Sequence, residues 1–413
     1  MRSDYKPLGN YIQLVDERNT ALEDLPLMGL SISKEFIPSV ANIVGTDLSK
    51  YKIVRKYQFA CSLMQVSRDG KIPIAIMKHP RVIMSPAYPI FEVKRTDELL
   101  PEYLMMWFSR SEFDRQAAYF AVGGVRGSLE WEDFCDMQLP VPPISRQREI
   151  VEEYNVIQNR IALNQQLIQK LEETAQAVYR EWFVEFEFPD ENGKPFKSNG
   201  GEMVWNEELG KEVPRGWGVG KLKTICEKIG SGFTPTGGRE SYFTTGISLI
   251  RSTNVFDYNF SIEDLAFISD EQADKLKNVA VKERDILLNI TGVSVARCCM
   301  VPNSILPARV NQHVMIIRPF QTLNISSFLL LNLCSTDSKN ALLGVSQSGS
   351  TREAITKSDI EDFEVLLPKG DLLERFEHQM QKLFLEKNLK SKENQKLTEL
   401  KELLLSRLAA IEN

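Results

Sequence analysis

Between Ile150 and Trp182 the apolar positions recur every third or fourth residue without interruption. They are Ile150, Tyr154, Ile157, Ile161, Asn164, Ile168, Leu171, Ala175, Val178 and Trp182. Steps of four and three in alternation make a heptad seam, the pattern of a helix packed along its length against another. Asn164 is its one polar member, and two roles are open to it: a buried amide that fixes register, or a solvated break in the seam. A second proline-free, helix-forming run covers residues 372–411 and is less regular. Phe376, Met380 and Leu383 begin a seam there, and Leu397, Leu400, Leu404, Leu408 and Ile411 finish one. Lys387, Lys390, Lys392, Asn394 and Lys396 leave its middle polar and basic.

Elsewhere the pattern is that of mixed α/β structure. Short β-like runs at 72–77 and 82–84 are punctuated by Pro, Gly and Ser, and strands are expected at 248–251, 285–290 and 314–318. Helices are expected over 98–116, where Leu100, Tyr103, Leu104, Trp107, Phe108 and Phe113 fall mostly at helical spacing, and over 326–333. The predicted organisation is a first α/β unit at 1–143, a long helix at 144–187, a turn-rich linker at 188–202, a second α/β unit at 203–370 and a second long helix at 371–413.

The chain also repeats itself. Gly123-Gly-Val-Arg126-Gly-Ser-Leu129 with Asp133-Phe-Cys-Asp136 is echoed 226 residues later by Gly349-Ser-Thr-Arg352-Glu-Ala-Ile355 with Asp359-Ile-Glu-Asp362. Asn164-Gln-Gln-Leu167 is echoed by Asn394-Gln-Lys-Leu397, an offset of 230 and so close to one further helical turn. The expected fold is therefore α/β, with two heads separated by two long antiparallel coiled-coil helices in a pseudo-twofold arrangement. A helical run of nearly forty residues reaches roughly 57 Å. Arg126 and Arg352 hold equivalent positions and read as architectural or partner-interface residues.

Composition adds limits. The chain is 43% hydrophobic and 26% charged, with a net charge of −6, ordinary values for a folded domain protein. No apolar run reaches membrane-spanning length, and the first residues lack the apolar core of a signal peptide, so a cytoplasmic location is expected. Six cysteines without a C-x-x-C pair read as reduced thiols. His79, His313 and His378 are far apart and offer no metal-ligand spacing, and no phosphate-binding Gly-rich motif or amino-methyltransferase motif is present. Asp133/Asp136 and Asp359/Asp362 recur at the start of each coil and read as helix or turn positions; no catalytic residue, and no cofactor held by the chain itself, is expected.

The charge is unevenly spread. Residues 47–95 hold ten Lys/Arg against Asp47, Asp69 and Glu92, and residues 286–336 hold no Asp or Glu while carrying Arg297, Arg309, Arg318 and His313. Each head thus offers a stretch that a phosphate backbone can approach. In the first head, Lys50, Lys52, Arg55, Lys56, Arg68, Lys71, Lys78 and Arg81 are the expected phosphate contacts, with Gln65 a base reader. In the second, the Thr234 loop with Arg239, then Arg251, Ser252, Thr253 and Asn254, then Arg297 and Asn311, Gln312 and His313, combine basic and amide groups in loop-like settings. Asn311 and Gln312 have a second role open to them, satisfying backbone groups inside the head.

Ordered segments carry a family resemblance. Val213-Pro-Arg-Gly-Trp217, Gly230-Ser-Gly-Phe-Thr-Pro235, Asp285-Ile-Leu-Leu-Asn-Ile-Thr-Gly292, Val310-Asn-Gln-His313 and Ser348-Gly-Ser-Thr-Arg352 follow one another in the second head. Asp47-Leu-Ser-Lys-Tyr-Lys52, Trp131-Glu-Asp-Phe134 with Leu139-Pro-Val-Pro142, and Ala177-Val-Tyr-Arg-Glu-Trp-Phe183 precede them. With the two-helix repeat, this order resembles the specificity subunits of type I restriction–modification systems over essentially the whole chain. The resemblance implies two target-recognition domains, each reading half of a bipartite sequence in double-stranded DNA. It implies two methyltransferase partner subunits carrying S-adenosylmethionine, and two motor-nuclease subunits using ATP and magnesium as further partners. The competing readings are a coiled-coil scaffold or adaptor without DNA binding, and an enzyme with an unrecognised active site.

Overall fold

The computed structural model describes residues 5–64, 66–121, 127–235, 237–347 and 354–408; the side chains of Arg68 and Arg239 are not described. Gln65, Arg126, Arg352 and Ile411 lie outside the described residues. Two compact units divide the chain, Met1–Asn164 with Glu393–Asn413, and Gln165–Lys392. Each unit therefore takes one α/β head together with part of each long helix.

In the first unit, strands Ile12–Val15, Ile90–Val93, Phe59–Cys61 and Ile74–Ile76 form an antiparallel sheet in that spatial order. A second ladder pairs Lys52–Arg55 with Arg81–Met84. The core is aromatic: Phe59 stacks on Phe91 with centroids 5.0 Å apart, and Phe108 packs against Phe113 at 4.9 Å. Tyr5–Pro7 pairs with Gln138–Pro140, so the proline-rich closure is a strand edge, where missing N–H groups cost little.

The single helix expected over 98–116 is two, Pro101–Phe108 and Ser111–Phe120. Pro101 can start a helix but not sit inside one. At the break, Ser109 Oγ donates to the Met105 carbonyl at 2.8 Å, and extended Arg110 lays its guanidinium 4.2 Å from the Trp107 ring centroid. A buried cation on an indole face holds the chain in that corner.

The first long helix runs Ile144–Phe183 and the second Leu372–Arg407. Every member of the Ile150–Trp182 seam is buried or half-buried. Within the first unit the helices run antiparallel: Ile150 shares a core with Leu405 and Leu408, while Arg160 pairs with Glu393 at 2.6 Å. Asn164 is fully buried and donates to Asn394 Oδ1 at 2.9 Å, so it is no solvated break. Leu400 is exposed and leaves the seam to Leu397, Leu404, Leu405 and Leu408.

The second unit holds two four-stranded sheets. One runs Cys226–Ser231, Val314–Pro319, Ile286–Asn289, Cys298–Met300; the other Ala266–Ile268, Ile247–Ile250, Ala308–Val310, Ala280–Val281. The expected helix at 326–333 is Ser326–Leu333, buried almost throughout. Trp182, Phe183 and Tyr179 of the first long helix pack on Phe376 of the second and on Phe328 of the head, with Phe183–Phe376 and Phe183–Phe328 centroids both 4.8 Å apart. Met380 and Leu383 extend this core, and Val178 packs on it. Ile168 and Leu171 are half-buried on the same seam.

Lys387, in the polar and basic middle of the second long helix, is not left to solvent. It is buried, pairs with Glu172 at 2.8 Å and donates to the Tyr258 carbonyl at 2.5 Å. The exposed apolar side chains of the long helices are Val156, Leu163 and Leu167, and Leu385, Leu389, Leu400 and Leu403.

Candidate nucleic-acid interface

Strand register gathers the second head's polar loops. Ser231 lies opposite Met315, Asn289 opposite Val314 and Leu288 opposite Cys298, so three connections leave one sheet at the same end. In the other sheet, parallel Ile250 and Val310 finish side by side, adding the 251–254 and 311–313 loops. Backbone bonds knit these ends together: Asn311 N–H donates to the Ile250 carbonyl at 3.1 Å, Gly232 N–H to Asn311 at 3.1 Å, and Ile290 N–H to His313 at 3.0 Å. Gly232 is required there, because a Cβ would strike the Val310 carbonyl. Thr234, Arg251–Asn254, Arg297 and Asn311–His313, scattered over some eighty residues of sequence, thus share one end of the head.

Their side chains divide into scaffold and surface. Asn254 is fully buried, accepts from Arg251 N–H at 3.0 Å and donates to the Ser261 and Glu263 carbonyls at 3.0 and 3.2 Å. Its amide is consumed, so it braces the loop and is not a base reader. Buried Asn311 accepts from His313 N–H at 3.0 Å, which resolves its open role in favour of the backbone. Arg251 is likewise partly spent: it donates to the Asp264 carbonyl and lies over the Tyr242 ring at 5.6 Å. The Ser252 carbonyl accepts from buried Asn289 at 2.9 Å.

Facing outward are Thr253 and Gln312, both exposed, with Thr234 donating its hydroxyl proton to Gln312 Oε1. Half-buried Arg297 stacks its guanidinium 5.1 Å from the Phe256 centroid, and His313 Nδ1 lies 2.6 Å from Thr291 Oγ1. Arg239 belongs to the short helical turn Gly238–Ser241. Sequence reading missed Thr291, Ser294 and Val293. The last is fully exposed at the tip of a turn whose Gly292 has φ +73°. An apolar residue inside an amide- and hydroxyl-rich loop was the signal for it.

Two cations of the acid-poor stretch are used internally. Arg309 donates to the Ala273 carbonyl at 3.0 Å, and Arg318 grips buried Asp285 with two bonds of 2.6 Å. Desolvation still raises the Asp285 carboxyl above its ordinary range, with Arg318 opposing it.

The first head separates what the sequence grouped. Lys52 sits opposite Met84 and Arg55 opposite Arg81, at the two ends of one ladder. Lys50, Lys52 and the 62–73 loop carrying Arg68 and Lys71 belong to the first end, since Lys52 Nζ reaches the Tyr88 carbonyl at 2.9 Å and Cys61 N–H donates to Pro89 at 3.1 Å. Lys50 and Lys71 are exposed there. Arg55, Lys56, Lys78 and Arg81 occupy the opposite end, where Lys78 lines a cavity of about 520 Å³ together with Tyr154 and Gln158 of the first long helix and Lys401 of the second.

Acids from outside the basic stretch also intervene. Glu17 binds Arg55 with two 2.7 Å bonds, Glu23 binds Arg81 at 2.6 and 2.8 Å, and Asp16 lies 3.8 Å from Lys52. The Arg55 guanidinium holds the Glu17 carboxyl below its ordinary range. Arg55, Lys56, Lys78 and Arg81 thus lie at the other end of the ladder from Lys50 and Lys71, with Arg55 and Arg81 engaged by acids. Lys56 instead lies 5.0 Å from the Tyr57 centroid.

The second of the repeated acid pairs is structural. Asp359 closes a capping box with Thr356, and Asp362 pairs with Lys223 at 2.7 Å. Among the described residues no group of three or more His, Cys, Asp or Glu side chains is placed to hold a metal ion.

Comparison with known proteins agrees with this architecture. Residues 214–402 match the family described as type I restriction modification DNA specificity domain. The type I restriction enzyme MjaIX specificity subunit of Methanocaldococcus jannaschii is 26% identical over 70% of this chain, and the match spans 63% of that protein. The HindI specificity subunit of Haemophilus influenzae is 22% identical over 75% of this chain and 77% of its own. The crystal structure of a type I restriction–modification S subunit from M. genitalium shares the fold, with a TM-score of 0.58 and 13% identity over 98% of this chain and 95% of that one. On the ordered segments, the mixed α/β heads with long helices and these matches, the chain is similar to type I restriction–modification specificity subunits, and its residues 214–402 match that family's DNA specificity domain.

Proposed function

We propose that this chain supplies the DNA sequence specificity of a type I restriction–modification complex and carries no catalytic activity itself. In this reading the heads at 1–143 and 203–370 are target-recognition domains, each reading one half of a bipartite duplex site. The two long helices form an antiparallel, pseudo-twofold spacer between them. Two methyltransferase subunits bring S-adenosylmethionine, and two motor-nuclease subunits bring ATP and magnesium.

The observation that carries the reading is the second head's loop end. Four chain segments deliver exposed or half-exposed Thr234, Thr253, Arg297, Gln312 and His313 to one place, from a stretch rich in amide and basic groups. Planar amide and guanidinium groups suit base edges, hydroxyls and cations suit phosphates, and Val293 suits a thymine methyl. In the first head Lys50, Lys71 and the loop bearing Gln65 and Arg68 take the corresponding role. Val156 and the exposed leucines of the long helices supply apolar surface for partner subunits.

The test is to map methylated adenines across the genome of a strain expressing the chain with its modification partner. A bipartite motif is expected, and exchanging residues 1–143 for those of another family member should alter one half and leave the other intact. Absence of any bipartite motif, or alteration of both halves, would overturn the reading and favour a scaffold without DNA recognition.

A further inference from the structure

Two buried polar side chains stand at equivalent places of the repeat. Gln147 and Glu377 are 230 residues apart, the offset that also separates Asn164 from Asn394. Both are fully buried near the start of a long helix. Both reach the N-terminal end of an eight-residue helix of their own head.

In the first unit, Gln147 Oε1 accepts from Leu100 N–H at 2.9 Å, and its Nε2 donates to the Glu98 carbonyl at 2.7 Å and the Pro142 carbonyl at 2.8 Å. Leu100 is the N-cap of Pro101–Phe108 and offers no side-chain cap of its own. In the second unit, Glu377 Oε1 accepts from Phe328 N–H at 2.8 Å, in the first turn of Ser326–Leu333, whose N-cap Ile325 also gives no side-chain bond. Glu377 Oε2 meets Arg284 Nη2 at 2.7 Å.

A helix N-terminus leaves several N–H groups without intrahelical partners, and burying one unpaired costs about 1–3 kcal/mol. Here the missing acceptor comes from the long helix. It is satisfied only when head and helix meet at one rotation and one height, because a slip of one turn moves the side chain by about 5.4 Å. Apolar packing alone is more tolerant of sliding, since it lacks direction.

We propose that Gln147 and Glu377 are positioning residues that lock each head onto its long helix and thereby set the half-site separation the protein accepts. The spacing part of this proposal rests on the reading given under Proposed function. The two locks differ in polarity. Gln147 must donate to two carbonyls, so Gln147→Glu breaks it; Glu377 accepts from the Phe328 N–H, so Glu377→Gln can keep that bond on its one oxygen while giving up the ion pair and hydrogen bond with Arg284.

The experiment uses the full chain assembled with its methyltransferase partner. Duplexes carrying both half-sites at the natural separation, and one base pair longer or shorter, compete for methylation, while hydrogen exchange is followed at the Leu100 and Phe328 amides. The native assembly should prefer the natural separation. Gln147→Ala, Gln147→Glu and Glu377→Ala should keep both half-site sequences, reduce that preference about tenfold and speed exchange at the amide concerned, whereas Glu377→Gln should stay within about threefold of native. Folded variants that retain the native preference, or loss of it in Glu377→Gln, would overturn the proposal. If the alanine variants do not fold, Gln147→Glu against Glu377→Gln decides the matter alone. A native assembly that methylates no bipartite duplex sinks the spacing claim together with the reading beneath it, and unaltered amide protection separates that failure from a failed lock.

Discussion

Asn164 donates its amide to Asn394 Oδ1 at 2.9 Å, and Asn394 in turn donates to the Ile161 carbonyl at 3.3 Å. Asn164 Oδ1 is buried without a hydrogen-bond partner. The pair therefore contributes direction at some expense of stability, since an unpaired buried acceptor costs about 1–3 kcal/mol. Replacing both by leucine should raise the denaturant midpoint by the equivalent of about 1–2 kcal/mol while allowing the helices to slip. Denaturant titration, with cross-linking of cysteines placed at Arg160 and Glu393, reads both effects. A double variant less stable than native would show that the pair stabilises outright.

Lys387 and Glu172 are both nearly buried, so either charge left alone is expensive. Lys387→Met should destabilise the second unit by about 3 kcal/mol, and Lys387→Met with Glu172→Leu should recover most of that loss. Equilibrium unfolding of the three chains gives the answer; equal stability of the single and double variants would dismiss the coupling.

Burial raises the Glu377 carboxyl above its ordinary value of 4.5, against the opposing pull of the Phe328 N–H and Arg284. The native state then holds its proton more tightly than the unfolded chain, so this group's contribution to stability is greatest at low pH and falls as pH rises through the window above 4.5. Glu377→Gln lacks this slope. The stability difference between native and Glu377→Gln should shift toward the variant as pH rises above 4.5, as measured by denaturant midpoints. A shift in the opposite sense would mean that Arg284 and the helix terminus outweigh burial.

Under the proposed function, Arg297 serves phosphate contact and Gln312 base reading, and the two roles are separable. In the assembled complex, Arg297→Ala should weaken binding to all duplexes similarly and reduce the slope of log K against log salt by about 1. Gln312→Ala should instead relax selection at one base pair by about 1–3 kcal/mol. Fluorescence anisotropy over a range of salt concentrations and single-base variants distinguishes them, and no change in either measurement would remove this loop end from the interface.

Ile157→Asp and Ile168→Asp place a carboxylate on the seam in the first and second unit respectively. Each should cost more than about 3 kcal/mol and abolish DNA modification. Full modification by either variant would take the paired helices out of the mechanism.

Much of the frame was legible because it is written in local periodicity. The Ile150–Trp182 steps gave the buried face of the first long helix, and short β-branched runs gave the strands Ile247–Ile250, Ile286–Asn289 and Val314–Pro319. The candidate site was only half legible. Thr234, Arg297, Gln312 and His313 came together as loop residues, whereas Asn254 and Asn311, identical in chemistry to base readers, turned inward. An amide's role depends on which backbone groups surround it, and no pattern in its own segment states that.

The sequence by itself determined the long helices, the repeat and the family resemblance, because helix spacing and motif order are properties of neighbouring residues. Tertiary structure decided which charges remain available. Glu17 and Glu23 quench Arg55 and Arg81 across 38 and 58 residues, and Glu377 caps a helix 49 residues away in sequence. Electrostatic and hydrogen-bond energies depend on distance in space, and strand pairing and helix packing, not position along the chain, set that distance.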